Sequence, residues 1–237
     1  MAQVEILSTG VNGKVGAKGR DGSPGDPGEP GANGSGSGTG KELTCICSGN
    51  GHPGSPGTLG TSATAGYGGQ NAAPLLIKVT AITGTLHVLS QGGAGGAGGV
   101  GGAGGSGGAG GNAGQNPYYL CLTTPGCCVN PAQGGEGGNG ANGGDGGSGG
   151  DAGNGSNIDI YTDAPRTSIV ANSLGGNSGA GGAGGAAGEG AQGGLNEKTS
   201  KDAKDIYAPS GVNGGTGGAG NAGNPGSGGN VNINPLS

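Results

Sequence analysis

The chain has 237 residues, of which 71 are Gly and 13 Pro, with no Phe or Trp and 29% hydrophobic residues, a composition that excludes an ordinary apolar core. A net charge of −5 with only 10% charged residues excludes a basic field for nucleic acid or a polybasic membrane patch. No apolar run is long enough to span a bilayer.

The opening MAQVEILSTG lacks a basic region followed by an apolar one, so no secretory signal is expected there. Within it, Val4 to Thr9 reads as a strand. From residue 10 glycine returns at every third position, with a lapse at Ser37, and this first triplet block covers residues 10–40. Five more blocks follow at 51–69, with a lapse at Ala63, and at 92–114, 134–155, 175–194 and 211–229. A backbone that repeats every three residues predicts polyproline II or polyglycine II, with a rise of about 3.1 Å per residue and no hydrogen bonds inside the helix. Every N–H and C=O then needs a neighbouring segment or water. At that rise each block extends about 60 to 75 Å. The expected fold is one elongated domain over residues 1–237, an antiparallel bundle of about six glycine-rich polyproline II helices with essentially no α-helix.

The segments between blocks sort by parity. Connectors 41–50, 115–133 and 195–210 are expected at one end and hold all five cysteines: Cys45, Cys47, Cys121, Cys127 and Cys128. The opposite end is expected to carry a small β cap built from residues 4–9, 75–90, 157–172 and 230–236. Leu75 to Ser90 reads as two strands around Thr83-Gly84, and Asn157 to Asn172 as two around Asp163 to Arg166. Ile158 and Ile160, like Val231 and Ile233, alternate with polar residues, as a half-buried strand requires.

In a threefold helix each phase of the triplet is one face, and a glycine face admits a neighbouring backbone. Blocks one and two have one glycine face and suit the edge of a bundle; blocks three and four have two and suit crowded positions. The free face of block four, with Glu136, Asn139, Asn142, Asp145, Ser148 and Asp151, is read as solvated. Block three presents Ala94, Ala97, Val100, Ala103 and Ala109 on its free face, and block five presents Ala180, Ala183 and Ala186. These flat apolar columns suit internal packing, a protein surface or ice.

GGAGGAGG at Gly92 to Gly99, repeated in kind over six blocks with cysteines in the turns, resembles the springtail, or snow flea, antifreeze proteins. That resemblance implies stacked antiparallel polyproline II helices and an ice-binding flat face. The architecture is also similar to the glycine-rich receptor-binding tips of some phage tail fibres, which implies recognition by end loops, here Tyr118 to Pro131. Block one, GKVGAKGRDGSPGDPGEPGANG, resembles bacterial collagen-like repeats.

No catalytic constellation is found. His52 and His87 have no neighbouring nucleophile or metal-spaced partner, and the many GxGxxG matches lack a strand-to-helix unit. Asp145 and Asp151 are read as solvated charges, with loose calcium binding as the alternative. The cysteines are read as disulfides, with a zinc site as the alternative, because CxC followed by CxxxxxCC is not a usual zinc spacing. Asn33-Gly34-Ser35 and Asn154-Gly155-Ser156 match the glycosylation sequon by chance. The expectation is a non-enzymatic structural protein with no cofactor or metal. It would be a homo-oligomer or polymer outside the cell or on a virion or spore surface, assembled through strands carrying Val4, Ile6, Val231 and Ile233. Ice and a cell-surface receptor are the alternative partners.

Overall fold

The computed structural model describes residues 3–38, 44–117 and 128–236. Its regular elements are β1 (Gln3–Thr9), β2 (Ser35–Ser37), β3 (Thr44–Ile46), β4 (Leu75–Lys78), β5 (Thr85–Gln91), β6 (Ile158–Tyr161), β7 (Ile169–Leu174) and β8 (Val231–Asn234), with one 3-10 turn at Arg166–Ser168. They form three small sheets: β1, β5, β7 and β4, β6, β8, both wholly parallel, and an antiparallel pair of β2 and β3.

This corrects the expected polyproline II helix bundle under a single strand cap. Among the described residues no helix or strand runs through residues 10–34 or the other glycine-rich blocks, and the architecture is three β-sheets. Branched side chains in alternation pleat the backbone and pair it as strand, whereas the glycine triplets lie outside any helix or strand. The expected hairpins are also absent. β4 and β5 belong to different sheets, as do β6 and β7. The chain reverses between β4 and β5 at Gly84, whose φ of 102° is open to glycine and costly for other residues. Strands are found at the cysteine end too, in β2 and β3.

The blocks are tied to one another every third residue. Gly13, Gly16 and Gly19 N–H groups donate to the carbonyls of Ala94, Ala97 and Val100, and Gly95, Gly98 and Gly101 donate to Asn177, Ala180 and Ala183. Blocks one, three and five therefore run parallel. Blocks two, four and six do the same, through bonds such as Gly54 to Glu136 and Gly140 to Val212. The two sets cross-link in opposite directions, for example Gly96 to Tyr67 and Gly150 to Gly96. Ala63, the lapse in block two, still donates to Asp145.

Each set of three blocks runs into one of the parallel sheets, so β1, β5 and β7 lead into blocks one, three and five, while β4, β6 and β8 follow blocks two, four and six. The two sheets enclose the one apolar cluster found among the described residues, in which Leu86, Val88, Ile158, Ile160 and Ile169 are buried and Ile6, Leu75, Ile77, Ile82, Ala171 and Ile233 pack around them. In register, Ile77, Ile160 and Ile233 lie side by side across one sheet. The core thus sits at one end of the molecule.

Candidate functional site

Both parallel sheets are open. β1 and β4 are the outer strands on one side of the sandwich, β7 and β8 on the other. Val4 and Leu7 of β1 are 54% and 56% exposed, and Val231 of β8 is 38% exposed. Ile6 and Ile233 turn inward against the core. On the β1 and β4 side a cleft of about 290 Å³ opens between the sheets, lined by Val4, Ile6, Ile77, Val79, Ile82 and Leu86. The β8 side is partly covered, because Arg166 Nη2 donates to the Ile233 carbonyl at 3.0 Å.

The glycine pattern decides what can approach the blocks from the side. A Cβ built on Gly93, Gly96 or Gly99 would fall on the carbonyls of Val11, Lys14 and Ala17 in block one. In the same way Gly135 and Gly138 meet block two, Gly176 and Gly179 meet block three, and Gly217 and Gly220 meet block four. The second glycine phase faces the other set, as where Gly92 and Gly95 meet Gly153 and Gly150. Among the described residues no block lies beyond blocks one and two. At the phase where block three carries Gly93, Gly96 and Gly99, block one carries Val11, Lys14 and Ala17; block two carries His52, Ser55 and Thr58 where block four carries Gly135 and Gly138. Block six carries Asn213, Thr216 and Ala219 on its outer side.

Polar side chains accept from some of the other N–H groups. Thr58, Thr61 and Thr64 hydroxyls accept from Ser23, Arg20 and Ala17 N–H at 2.6 to 2.7 Å. The block-four column is more than a solvated face: Asn139, Asn142, Asp145, Asp151 and Asn154 accept from the backbone of Val212, Gly215, Gly218, Asn224 and Ser227. Asn33 of the other sequon accepts from Gln115 N–H. On block one, Asp21 accepts from Ala103 N–H at 2.8 Å and pairs with Lys18 at 3.0 Å. The Ala103 N–H, with the Lys18 ammonium second, lowers the Asp21 pKa below its ordinary value.

The alanine columns face outward. Val100, Ala109, Ala180, Ala183 and Ala186 are exposed, and Ala94, Ala97 and Ala103 are half-buried.

At the opposite end Cys47 and Cys128 form a disulfide across 81 residues, and Cys45 is also disulfide-bonded. Cys121 and Cys127 lie outside the described residues, as does most of the Tyr118 to Pro131 loop. Among the described residues no group of three or more His, Cys, Asp or Glu is placed to hold a metal. Beside the disulfide is a residue that reading the sequence missed. Glu197 is 5% exposed and accepts from Asn116 N–H, Ala132 N–H and Ser48 Oγ at 2.8 to 2.9 Å, tying all three connectors together. Its neighbours Lys198, Lys201 and Asp202 make the segment look like ordinary solvated charge.

No family model matches the chain, and no curated protein does. Among solved structures it is similar to a springtail antifreeze protein from Granisotoma rainieri, described as a nine polyproline type II helical bundle whose crystal waters match the ice lattice. The identity is 24% over 86% of this chain and 93% of that one, with a TM-score of 0.13, too low to carry an argument about fold or function.

Proposed function

We propose that the protein is a structural subunit that assembles with copies of itself through the open sheet edges at its apolar end. The observation that carries this reading is that two parallel sheets share one core and leave four outer strands, β1, β4, β7 and β8, without a further partner strand among the described residues. Such edges present backbone N–H and C=O groups to another chain. No helix among the described residues is long and apolar enough to cross a membrane. The Cys47–Cys128 disulfide is compatible with an extracellular location. The test is sedimentation velocity and electron microscopy of the purified full chain over a wide concentration range. Concentration-dependent oligomers or filaments are expected, and a monomer at every concentration would overturn the reading.

A second reading, ice binding, is favoured by the outward-facing Val100, Ala109, Ala180, Ala183 and Ala186. Thermal hysteresis in dilute monomer, abolished by bulky residues at Ala180 and Ala183, is its expected signature; hysteresis no greater than that of a control protein would overturn it.

A further inference from the structure

We infer that β1 is the docking edge for β1 of a second copy running antiparallel to it, with the two block regions pointing away from each other. The inference rests on the self-assembly reading above and specifies its contact. Gly10 N–H donates to the Gln91 carbonyl, and β1 runs in register with β5 from Gln3 opposite Thr85 to Thr9 opposite Gln91. Because backbone direction alternates along a strand, the even-numbered residues of β1 face β5, and the N–H and C=O groups of Glu5, Leu7 and Thr9 face outward.

A second copy cannot meet this edge in parallel. Parallel addition would lay its blocks along blocks one and two, at the close approach that glycine permits inside the molecule. There Val11, Lys14 and Ala17 project where block three has Gly93, Gly96 and Gly99. Antiparallel addition centred on Leu7 pairs Glu5 to Thr9 of the two copies and reaches the blocks only at Gly10 and Val11, opposite Val4 and Gln3.

The β1 side is also the uncovered one, since the Arg166 guanidinium occupies the Ile233 carbonyl on the β8 edge. Self-pairing suits the sequence of β1. Centred on Leu7, it places Leu7 against Leu7 of the second copy and Glu5 against Thr9, which keeps the two carboxylates apart; like charges directly opposite would be destabilising. The exposed Leu7 is then covered across the seam.

Leu7→Pro tests the contact, because it removes an outward N–H while every bond from β1 to β5 is kept, and edge strands accept proline. Sedimentation velocity is expected to show self-association weakened at least tenfold with the circular dichroism spectrum unchanged. Leu7→Cys in the full chain is the second variant. Paired residues in an antiparallel ladder have Cα atoms about 5.5 Å apart, within disulfide reach. Air oxidation should therefore give a covalent dimer in which the introduced thiols of the two copies are joined to each other, as peptide mapping would show. Association that persists in Leu7→Pro, together with no disulfide between the introduced thiols, would overturn the antiparallel β1 contact and leave the self-assembly reading standing. An unmodified chain that stays monomeric at every concentration would overturn both.

Discussion

At the scale of single residues, the same glycine is indispensable or replaceable according to what its missing Cβ would touch. Gly102 is buried, and a methyl there would fall on the Arg20 carbonyl. Gly68 is exposed, and the nearest atom to its added Cβ is the Asp151 carbonyl at 3.5 Å, an ordinary contact. Gly102→Ala should therefore destabilise by about 1 to 3 kcal/mol, as forced overpacking does. Gly68→Ala should stabilise by about 0.4 to 1 kcal/mol, because the unfolded chain loses freedom and the folded chain loses nothing. Thermal unfolding of the two variants measures both. Asp21 gives a pH signature. Its pKa is lowered in the folded chain, chiefly by the Ala103 N–H, so its contribution is fully present above the unfolded carboxylate value near about 3.9. It is lost as pH falls through the lowered folded value. Melting temperature measured from about pH 5 to pH 2 should fall less steeply in Asp21→Asn than in the parent chain.

At the scale of elements, the sequence made the strands legible and hid their partners. The alternation of Ile158 and Ile160, and of Val231 and Ile233, marks runs that are strands in the structure. Alternation sets which face of a strand is apolar and says nothing about which strand lies beside it. That is why Leu75 to Ser90 reads as a hairpin although β4 and β5 separate into two sheets. The glycine phases were legible as faces, yet the capping of Val212 and Gly215 N–H by Asn139 and Asn142 was not. Those partners are 73 residues apart, and an Asn every third residue looks the same whether it faces water or a neighbour. Glu197 was hidden for the opposite reason, since it does not repeat. Its three accepted bonds hold connectors far apart in the chain. Leaving buried donors unpaired costs about 1 to 3 kcal/mol each, so Glu197→Ala should destabilise the cysteine end by several kcal/mol. Hydrogen exchange should locate the loss at Asn116 and Ala132 and leave the sheet end protected.

At the scale of the whole molecule, core and covalent staple are divided between the ends, the apolar cluster at one and the Cys47–Cys128 disulfide at the other. Under the docking proposed for β1, two copies join at the apolar end, and extension beyond a pair requires the β7 and β8 side, where Arg166 occupies the Ile233 carbonyl. Arg166→Ala should therefore shift the sedimentation profile from dimers toward longer species. A profile identical to that of the parent would show that the guanidinium is no barrier.

The unequal glycine content of the blocks also bears on how such a chain could lengthen. Blocks three, four and five carry two glycine phases because each is flanked both ahead and behind, whereas blocks one, two and six carry one. A tandem duplication should therefore be tolerated among blocks three to five and not at blocks one, two or six. Residues 92–174 form a cassette that begins after one strand of the first sheet and closes with the next, so a second copy spliced in after Leu174 widens each layer by one block. The outer side chains that terminate the lattice stay where they are.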